Sequence, residues 1–164
     1  FKKGWSGTNI DVNQTSIDLF NIARPNDQNI CAALSDVSND VNFFEDDILG
    51  PVNTISSKMH EKSKGIFFKK GIVKKIKTSK VFDVISKSIL YEKTDFLNID
   101  AEGSDYKIIK QIDLRNSNIN LVAIETHDPN GNKLDDFNNI SKYFEKNQYF
   151  VHRNIGPTSL YIKK

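Results

Sequence analysis

The sequence has 164 residues with one cysteine, three histidines and no long apolar run. The single cysteine, Cys31, excludes an internal disulfide and a cysteine-rich zinc site. His60, His127 and His152 are too widely spaced to indicate a histidine-based metal centre, so we expect no metal. No apolar run approaches the roughly 18 residues that span a bilayer. These absences favour a globular chain without a membrane span, and we expect a cytoplasmic location.

The eight glycines include no Gly-x-Gly pair and no Walker-type Gly-Lys-Ser/Thr sequence. Such glycine-rich loops bring backbone N–H groups close to the phosphates of dinucleotides and nucleoside triphosphates. Their absence therefore disfavours NAD, FAD and nucleoside triphosphates as cofactors. A cofactor without phosphate needs no such loop to balance charge, and it remains compatible with the sequence.

The net charge of +2 is unevenly distributed. The stretch from Lys58 to Lys80 holds nine lysines against one acid, Glu61, with Phe67 and Phe68 among them. Such a run is typical of a solvated loop, but it also suits an anionic substrate, a nucleic acid or an acidic partner. The length fits one domain. We therefore expect a single domain over residues 1–164 with a lysine-rich insertion at about 56–80.

Strand-like and helix-like segments alternate along the chain. The apolar run 29–34 is typical of a strand buried on both faces, with Cys31 in the core, and 71–78 reads as an edge strand. The alternation predicts an α/β fold with a mainly parallel sheet and a C-terminal antiparallel hairpin. Strands are predicted at 7–12, 29–34, 40–44, 71–78, 95–99, 120–125, 149–152 and 159–162, and helices at 14–23, 81–90, 104–113 and 134–144.

Acidic residues follow four of the predicted strands, where open α/β sheets bind their ligands. Each of them alone is also a common helix cap or turn former. As a set they indicate a ligand site. An acid such as Asp11 can accept two hydrogen bonds from ribose hydroxyls, which suits an adenosine cofactor. The residues at the strand ends are Asp11, Asp36, Asp100, Glu102, Glu125, His127 and Asp128.

Several segments resemble the FkbM-type S-adenosylmethionine-dependent methyltransferases. The sequence GWSGTNIDVN at 4–13 is similar to their GW-x-G-x-x-I-E-P-N segment, and ALSD at 33–36 to their A-L-S-D turn. The sequence DFLNIDAEGSD at 95–105 resembles D-F-L-K-I-D-x-E-G-x-E, and VAIET at 122–126 the strand that follows. The matches keep the family's order and spacing over most of the chain. Asp11, Val12 and Asn98 depart from the family's Glu, Pro and Lys.

The resemblance implies a Rossmann-like class I methyltransferase sheet whose first strand and glycine loop are missing. They would precede Phe1, so we expect a chain cut from a longer protein or a processed end. In that sheet the first strand is central. Without it the family's second and fourth strands would expose unpaired backbone edges, which invite pairing. We therefore expect a homo-oligomer, a closed-up sheet or a replacement strand.

The resemblance also implies roles for individual residues. Asp11 would bind the ribose of S-adenosylmethionine, or alternatively cap a helix. Glu102 would face the substrate, or alternatively accept backbone N–H groups at the next helix start. The remaining expected roles are adenine contacts for Ser35 and Asp36, a place near the methyl group for Asp100, and a general base chosen from Asp100, Glu102 and His127.

The expected reaction is methylation of a hydroxyl on a sugar or another small metabolite, with an anionic acceptor favoured if the lysine-rich segment covers the site. A hydroxyl needs a general base because its pKa lies far above 7. Two alternatives stay open at this point. One is a non-catalytic Rossmann-like fragment, and the other is a basic module that binds nucleic acid with a steep salt dependence.

Overall fold

A computed structural model describes residues 4–47, 53–63, 71–86, 88, 91–128 and 130–164. The chain divides into two compact units, Phe1–Leu90 with Glu102–Ser104 and Tyr91–Ala101 with Asp105–Lys164. Each unit combines helices with strands, which confirms the α/β class. Among the described residues no helix is both long enough and apolar enough to cross a membrane. The extent of the domain stays a prediction.

The first unit begins with a parallel strand pair connected by a helix. Strands β1 (Thr8–Asp11) and β2 (Gln28–Cys31) pair in parallel, and α1 (Gln14–Ala23) lies between them in the chain. Asn13 caps α1, because its side-chain oxygen accepts the backbone N–H of Thr15 at 2.9 Å. The helix therefore begins at the predicted residue.

The apolar run 29–34 is not one strand, as predicted, but two strands divided at Ala32. β2 pairs with β1, whereas β3 (Ala33–Ser35) pairs with a strand much later in the chain. The change of partner falls at Ala32, whose N–H donates to the carbonyl of Asp11 at 2.9 Å. Cys31 ends β2 and is exposed, so its assignment to the core is wrong. An apolar run does not reveal where a strand changes its neighbour.

The lysine-rich segment contains regular structure at both of its ends. It starts in α2 (Ser57–Ser63) and ends in β5 (Ile72–Lys80), which lies between β3 and β4 (Asp40–Glu45). β5 is therefore a central strand and not the predicted edge strand. Phe67 and Phe68 lie outside the described residues. α3 (Val81–Ile85) forms the first half of the predicted helix 81–90. Residues 87, 89 and 90 of that predicted helix also lie outside the described residues.

One lysine of this segment neutralises a buried acid. β4 buries the side chains of Phe43, Phe44 and Glu45, the last of them with 8% of its surface exposed. Lys74 on β5 forms an ion pair with the Glu45 carboxylate. A buried carboxylate without a partner would be costly, so this lysine has a structural role. The ring of Phe44 also stacks on that of His60, with 4.1 Å between their centroids.

The second unit is built on a four-stranded sheet with the order β6-β7-β9-β8. β6 and β7 are parallel, whereas β9 is antiparallel to both β7 and β8. This pairing confirms the predicted C-terminal hairpin. The strands are β6 (Phe96–Ile99), β7 (Leu121–Glu125), β8 (Tyr149–Ile155) and β9 (Thr158–Lys163).

The prediction of one mainly parallel sheet is wrong for the described residues. They form three sheets, in which three strand pairs are parallel and three are antiparallel. The alternation of strands with helices fixes the class of fold but not which strands pair. The Rossmann-like order, the missing first strand and glycine loop, and the homo-oligomer stay predictions.

The core of the second unit combines a buried strand with an aromatic cluster. The central residues of β7, Val122–Ile124, are all buried. α5 (Phe137–Lys146) contributes Phe144, whose ring stacks on that of Tyr161 at a centroid distance of 3.8 Å and meets Tyr149 edge-on at 5.8 Å. α4 (Asp105–Ile109) is shorter than the predicted helix 104–113, and a 3₁₀ turn covers Tyr91–Lys93.

Replacing Phe144 by alanine should lower the free energy of unfolding of the second unit by about 3–5 kcal/mol, because the side chain is fully buried and its removal leaves a cavity. Urea denaturation measures the effect. The control is Phe150→Ala on the same unit, because Phe150 is 43% exposed, and it should cost under about 1 kcal/mol. Equal losses in the two variants would show that the aromatic cluster does not carry this core.

Tyr143 should make the protein sensitive to alkali. Burial raises the pKa of Tyr143 from 10.0 to about 12, and its hydroxyl donates to the carbonyl of Ile112. Because the folded pKa lies above the unfolded one, the stabilisation is complete below pH 10 and is lost as the pH rises towards 12. The melting temperature should therefore fall across this range, and less steeply in Tyr143→Phe. Parallel curves for the two proteins would contradict this assignment.

Candidate active site

Asp11 lies at the carboxyl end of β1, as predicted. Its Oδ1 accepts the backbone N–H of Asn13 at 2.8 Å, which holds the turn into α1. The cap of α1 is Asn13 and not Asp11, so the helix-capping alternative for Asp11 is wrong. A carboxylate offers about four lone-pair positions, and the turn uses one of them. Asp11 therefore keeps the capacity to accept further hydrogen bonds at the end of the strand.

Ser35 and Asp36 lie together at the end of β3. The hydroxyl of Ser35, which is only 4% exposed, is 3.3 Å from Oδ1 of Asp36, to which it donates. This bond orients the carboxylate of Asp36 in the turn after the strand. The structure thus brings these two predicted residues into contact with each other.

The loop from β6 to α4 is closed by a residue that the sequence analysis did not single out. Oδ1 of Asp105 accepts the backbone N–H of Ala101 at 3.1 Å, and Asp105 is 4% exposed. The bond spans residues 101–105, which include the last three residues of the D-x-E-G motif, and it closes the turn that follows β6. The sequence signal for Asp105 is an acid in the first turn of a helix, where the helix dipole favours negative charge.

Glu102 and Gly103 adopt left-handed backbone conformations, with φ of 46° and 89°. They belong to the first unit, where the hydroxyl of Thr54 donates to the carbonyl of Glu102 at 2.7 Å. Left-handed geometry is uncommon outside glycine and is concentrated at functional sites. A Cβ atom on Gly103 would lie 3.1 Å from Cγ of Met59 and 3.3 Å from Ser56. The glycine of this motif is therefore required both by its φ angle and by close packing.

Asp100 and Glu125 come together at the end of neighbouring strands in the second unit. Ile99 of β6 is in register with Ile124 of β7, so the two acids that follow lie side by side. Their carboxylate oxygens are within 4.8 Å of each other. We assign this acidic pair no metal, because acidic side chains often lie this close without one.

His127 follows β7, and its imidazole is held at Nδ1. Nδ1 lies 2.8 Å from Oγ1 of Thr126, and the ring meets that of Phe137 edge-on at 5.3 Å. The next residue, Asp128, orders the following turn by accepting backbone N–H groups from Asn130 and Asn132, each at 2.9 Å. The side-chain amide of Asn132, which donates to Oδ2 of Asp128 at 2.9 Å, lowers the pKa of Asp128 together with these backbone bonds. The turn former of this pair is thus Asp128, whereas within the described residues the imidazole of His127 forms its hydrogen bond through Nδ1 alone.

The comparisons with known proteins identify the family of the chain. A family model described as "Methyltransferase FkbM domain" matches residues 1–151, and no match was found among the curated proteins or the solved structures. This match, on a chain with an α/β fold, shows that the protein is a methyltransferase. More particularly, the chain belongs to the FkbM methyltransferase domain family, which confirms the resemblance drawn from the sequence.

Replacing Gly103 by alanine should destabilise the first unit more than a matched glycine replacement destabilises the second. Gly131 has a similar φ of 83°, but a Cβ there would meet nothing within 4 Å. Both variants carry the left-handed strain of roughly 1–2 kcal/mol, and only Gly103→Ala adds the contacts with Met59 and Ser56. Urea denaturation of both variants measures the difference. A Gly131→Ala cost as large as that of Gly103→Ala would mean that close packing plays no part.

Proposed function

We propose that the chain transfers a methyl group from S-adenosylmethionine to a hydroxyl group of a sugar or a similar small metabolite. The methyltransferase class follows from the family. The observation that carries the finer proposal is Asp11, an acid at the end of β1 that uses one lone pair on its own turn while Asn13 caps the helix.

The residues of the first unit fit the adenosine part of this cofactor. Asp11 has lone pairs left for both ribose hydroxyls. Asp36 offers an acceptor for the exocyclic amine of adenine, and the buried hydroxyl of Ser35 orients it. None of these contacts needs a phosphate-binding loop, in keeping with the absence of a Gly-x-Gly pair. For Asp100, the place near the methyl group rests on the resemblance to the family.

The chemistry needs a base and good positioning. When bound, S-adenosylmethionine supplies a methyl group on a positively charged sulfur, so that the C–O bond forms as the C–S bond breaks and the sulfur keeps the electron pair. The proton of the acceptor hydroxyl passes to His127 at Nε2 and from there to water. Holding the reacting groups in line is the main source of rate acceleration.

His127 is the general base that the contacts favour over the two acids. Its Nδ1 is anchored by Thr126, and histidine is the side chain that most often serves as a general base. We keep Asp100 and Glu102 as the alternatives.

An anionic acceptor is compatible with the lysines of β5. Lys75 and Lys77 are exposed, and their spacing of two residues places them on one face of the strand. Lys74 lies on the other face, where it pairs with Glu45. The lysine-rich segment is thus part structural and part exposed positive surface, and a nucleic-acid partner stays the alternative to an anionic acceptor. The cytoplasmic location stays a prediction.

Calorimetric titration with S-adenosylhomocysteine, the demethylated cofactor, tests the proposal. Asp11→Asn should weaken binding about 10- to 100-fold, because a hydrogen bond to a charged acceptor contributes about 1.5–3 kcal/mol. Asparagine keeps an Oδ1 acceptor for the turn, so the fold should survive. The matched control is Asp18→Asn on α1, an exposed acid that accepts from Gln14, and it should leave the affinity unchanged.

Two outcomes would count against this proposal. If the unaltered chain shows no saturable binding of S-adenosylhomocysteine, the proposed cofactor is wrong. Equal affinities of the Asp11→Asn variant and the Asp18→Asn control would show that the cofactor binds away from the end of β1.

A further inference from the structure

The backbone at His127 is held by hydrogen bonds to the hairpin β8–β9. The N–H groups of Thr126 and His127 both donate to the carbonyl of Pro157, at 3.0 and 3.1 Å. The carbonyl of Thr126 accepts the N–H of Leu134 at 2.9 Å, and His127 forms an isolated bridge with Lys133. The position of the imidazole is therefore set by the main chain on both sides of it.

A chain of buried hydroxyls continues from the imidazole into the hairpin. Oγ1 of Thr126 lies 2.8 Å from Nδ1 of His127 and 2.5 Å from Oγ of Ser159. The hydroxyl of Ser159 in turn donates to Oδ1 of Asn154 at 2.9 Å. Thr126 is fully buried and Ser159 is 1% exposed, so these groups satisfy one another and not the solvent.

The direction of this chain can be worked out, because each hydroxyl carries one hydrogen. The amide oxygen of Asn154 only accepts, so Ser159 donates its hydrogen there. Ser159 then accepts from Thr126, which has no hydrogen left for the imidazole. Nδ1 of His127 must therefore carry the hydrogen that Thr126 accepts.

We propose that Asn154, Ser159 and Thr126 are positioning residues that hold His127 in the tautomer with hydrogen on Nδ1 and a free lone pair on Nε2. The purpose of this arrangement rests on the proposed function. The experiment that tests the arrangement does not require that function. Nε2 makes no hydrogen bond within the part of the chain that the structure describes. It is thus the nitrogen that takes the acceptor's proton, and taking it leaves the bond from Nδ1 to Thr126 in place.

Nuclear magnetic resonance of the full chain reads the tautomer directly, without cofactor or acceptor. Long-range proton–nitrogen correlations of labelled protein, recorded at about pH 8, above the usual titration of imidazole, distinguish protonated from unprotonated ring nitrogens. We expect His127 to show a protonated Nδ1 and an unprotonated Nε2. The exposed His152 is the internal reference and should show the solvent preference for hydrogen on Nε2.

Three variants test the chain of hydroxyls. Thr126→Val removes the acceptor of the Nδ1 hydrogen, so His127 should move towards the tautomer of His152, whereas Thr126→Ser should keep the original tautomer. Ser159→Ala frees the hydrogen of Thr126 to bond Nδ1, which should raise the population with hydrogen on Nε2. Thr158→Val is the matched control on β9, one residue away and facing the opposite side of the strand.

Two results would overturn the inference. A protonated Nε2 in the unaltered chain would mean that the hydroxyls point the other way, with the amide nitrogen of Asn154 donating to Ser159. An unchanged tautomer in both Thr126→Val and Ser159→Ala would mean that the chain does not control the imidazole. If Thr126→Val does not fold, Ser159→Ala decides alone. Neither result depends on cofactor binding, so the proposed function can fail separately.

Discussion

The parallel pairing of β6 with β7 is the constraint on which the arrangement of polar side chains in the second unit depends. It aligns Ile99 with Ile124, and so it places Asp100 beside Glu125 at one end of the sheet. The same strand leads directly into Thr126 and His127. Because the three central residues of β7 are buried, a shift in register would bury polar groups and expose apolar ones. The positions of these side chains are thus fixed by the same contacts that stabilise the core.

The loops after the strands are held by hydrogen bonds that take up only part of the hydrogen-bonding capacity of the proposed site residues. Asp105 closes the β6–α4 loop, and the turn after β1 takes a single lone pair of Asp11. Asn13 does the capping that would otherwise occupy that carboxylate. In His127 the same division recurs, since Thr126 binds one ring nitrogen, Nδ1, and the proposed function assigns the proton transfer to the other. In this proposal, separate atoms and residues hold the loops and carry the chemistry.

Local sequence patterns predicted the elements better than their pairing. The strand Leu121–Glu125, the start of α1 and the C-terminal hairpin follow from periodicity and turn residues, which act over a few positions. The division at Ala32 and the central place of β5 depend on which distant strand is the neighbour, and no short pattern records that. The site shows the same limit. His127 was visible as a polar residue after a strand, whereas Ser159, 33 residues from Thr126, becomes relevant only through the hairpin.

The central claim is that an adenosine cofactor binds where β1 and β3 of the first unit end. Mapping of backbone amide shifts on addition of S-adenosylhomocysteine tests it most directly. The account predicts that the largest changes fall at residues 11–13 and 35–36, with little change along β5. Large changes confined to the lysines of β5, or none at residues 11–13, would contradict it.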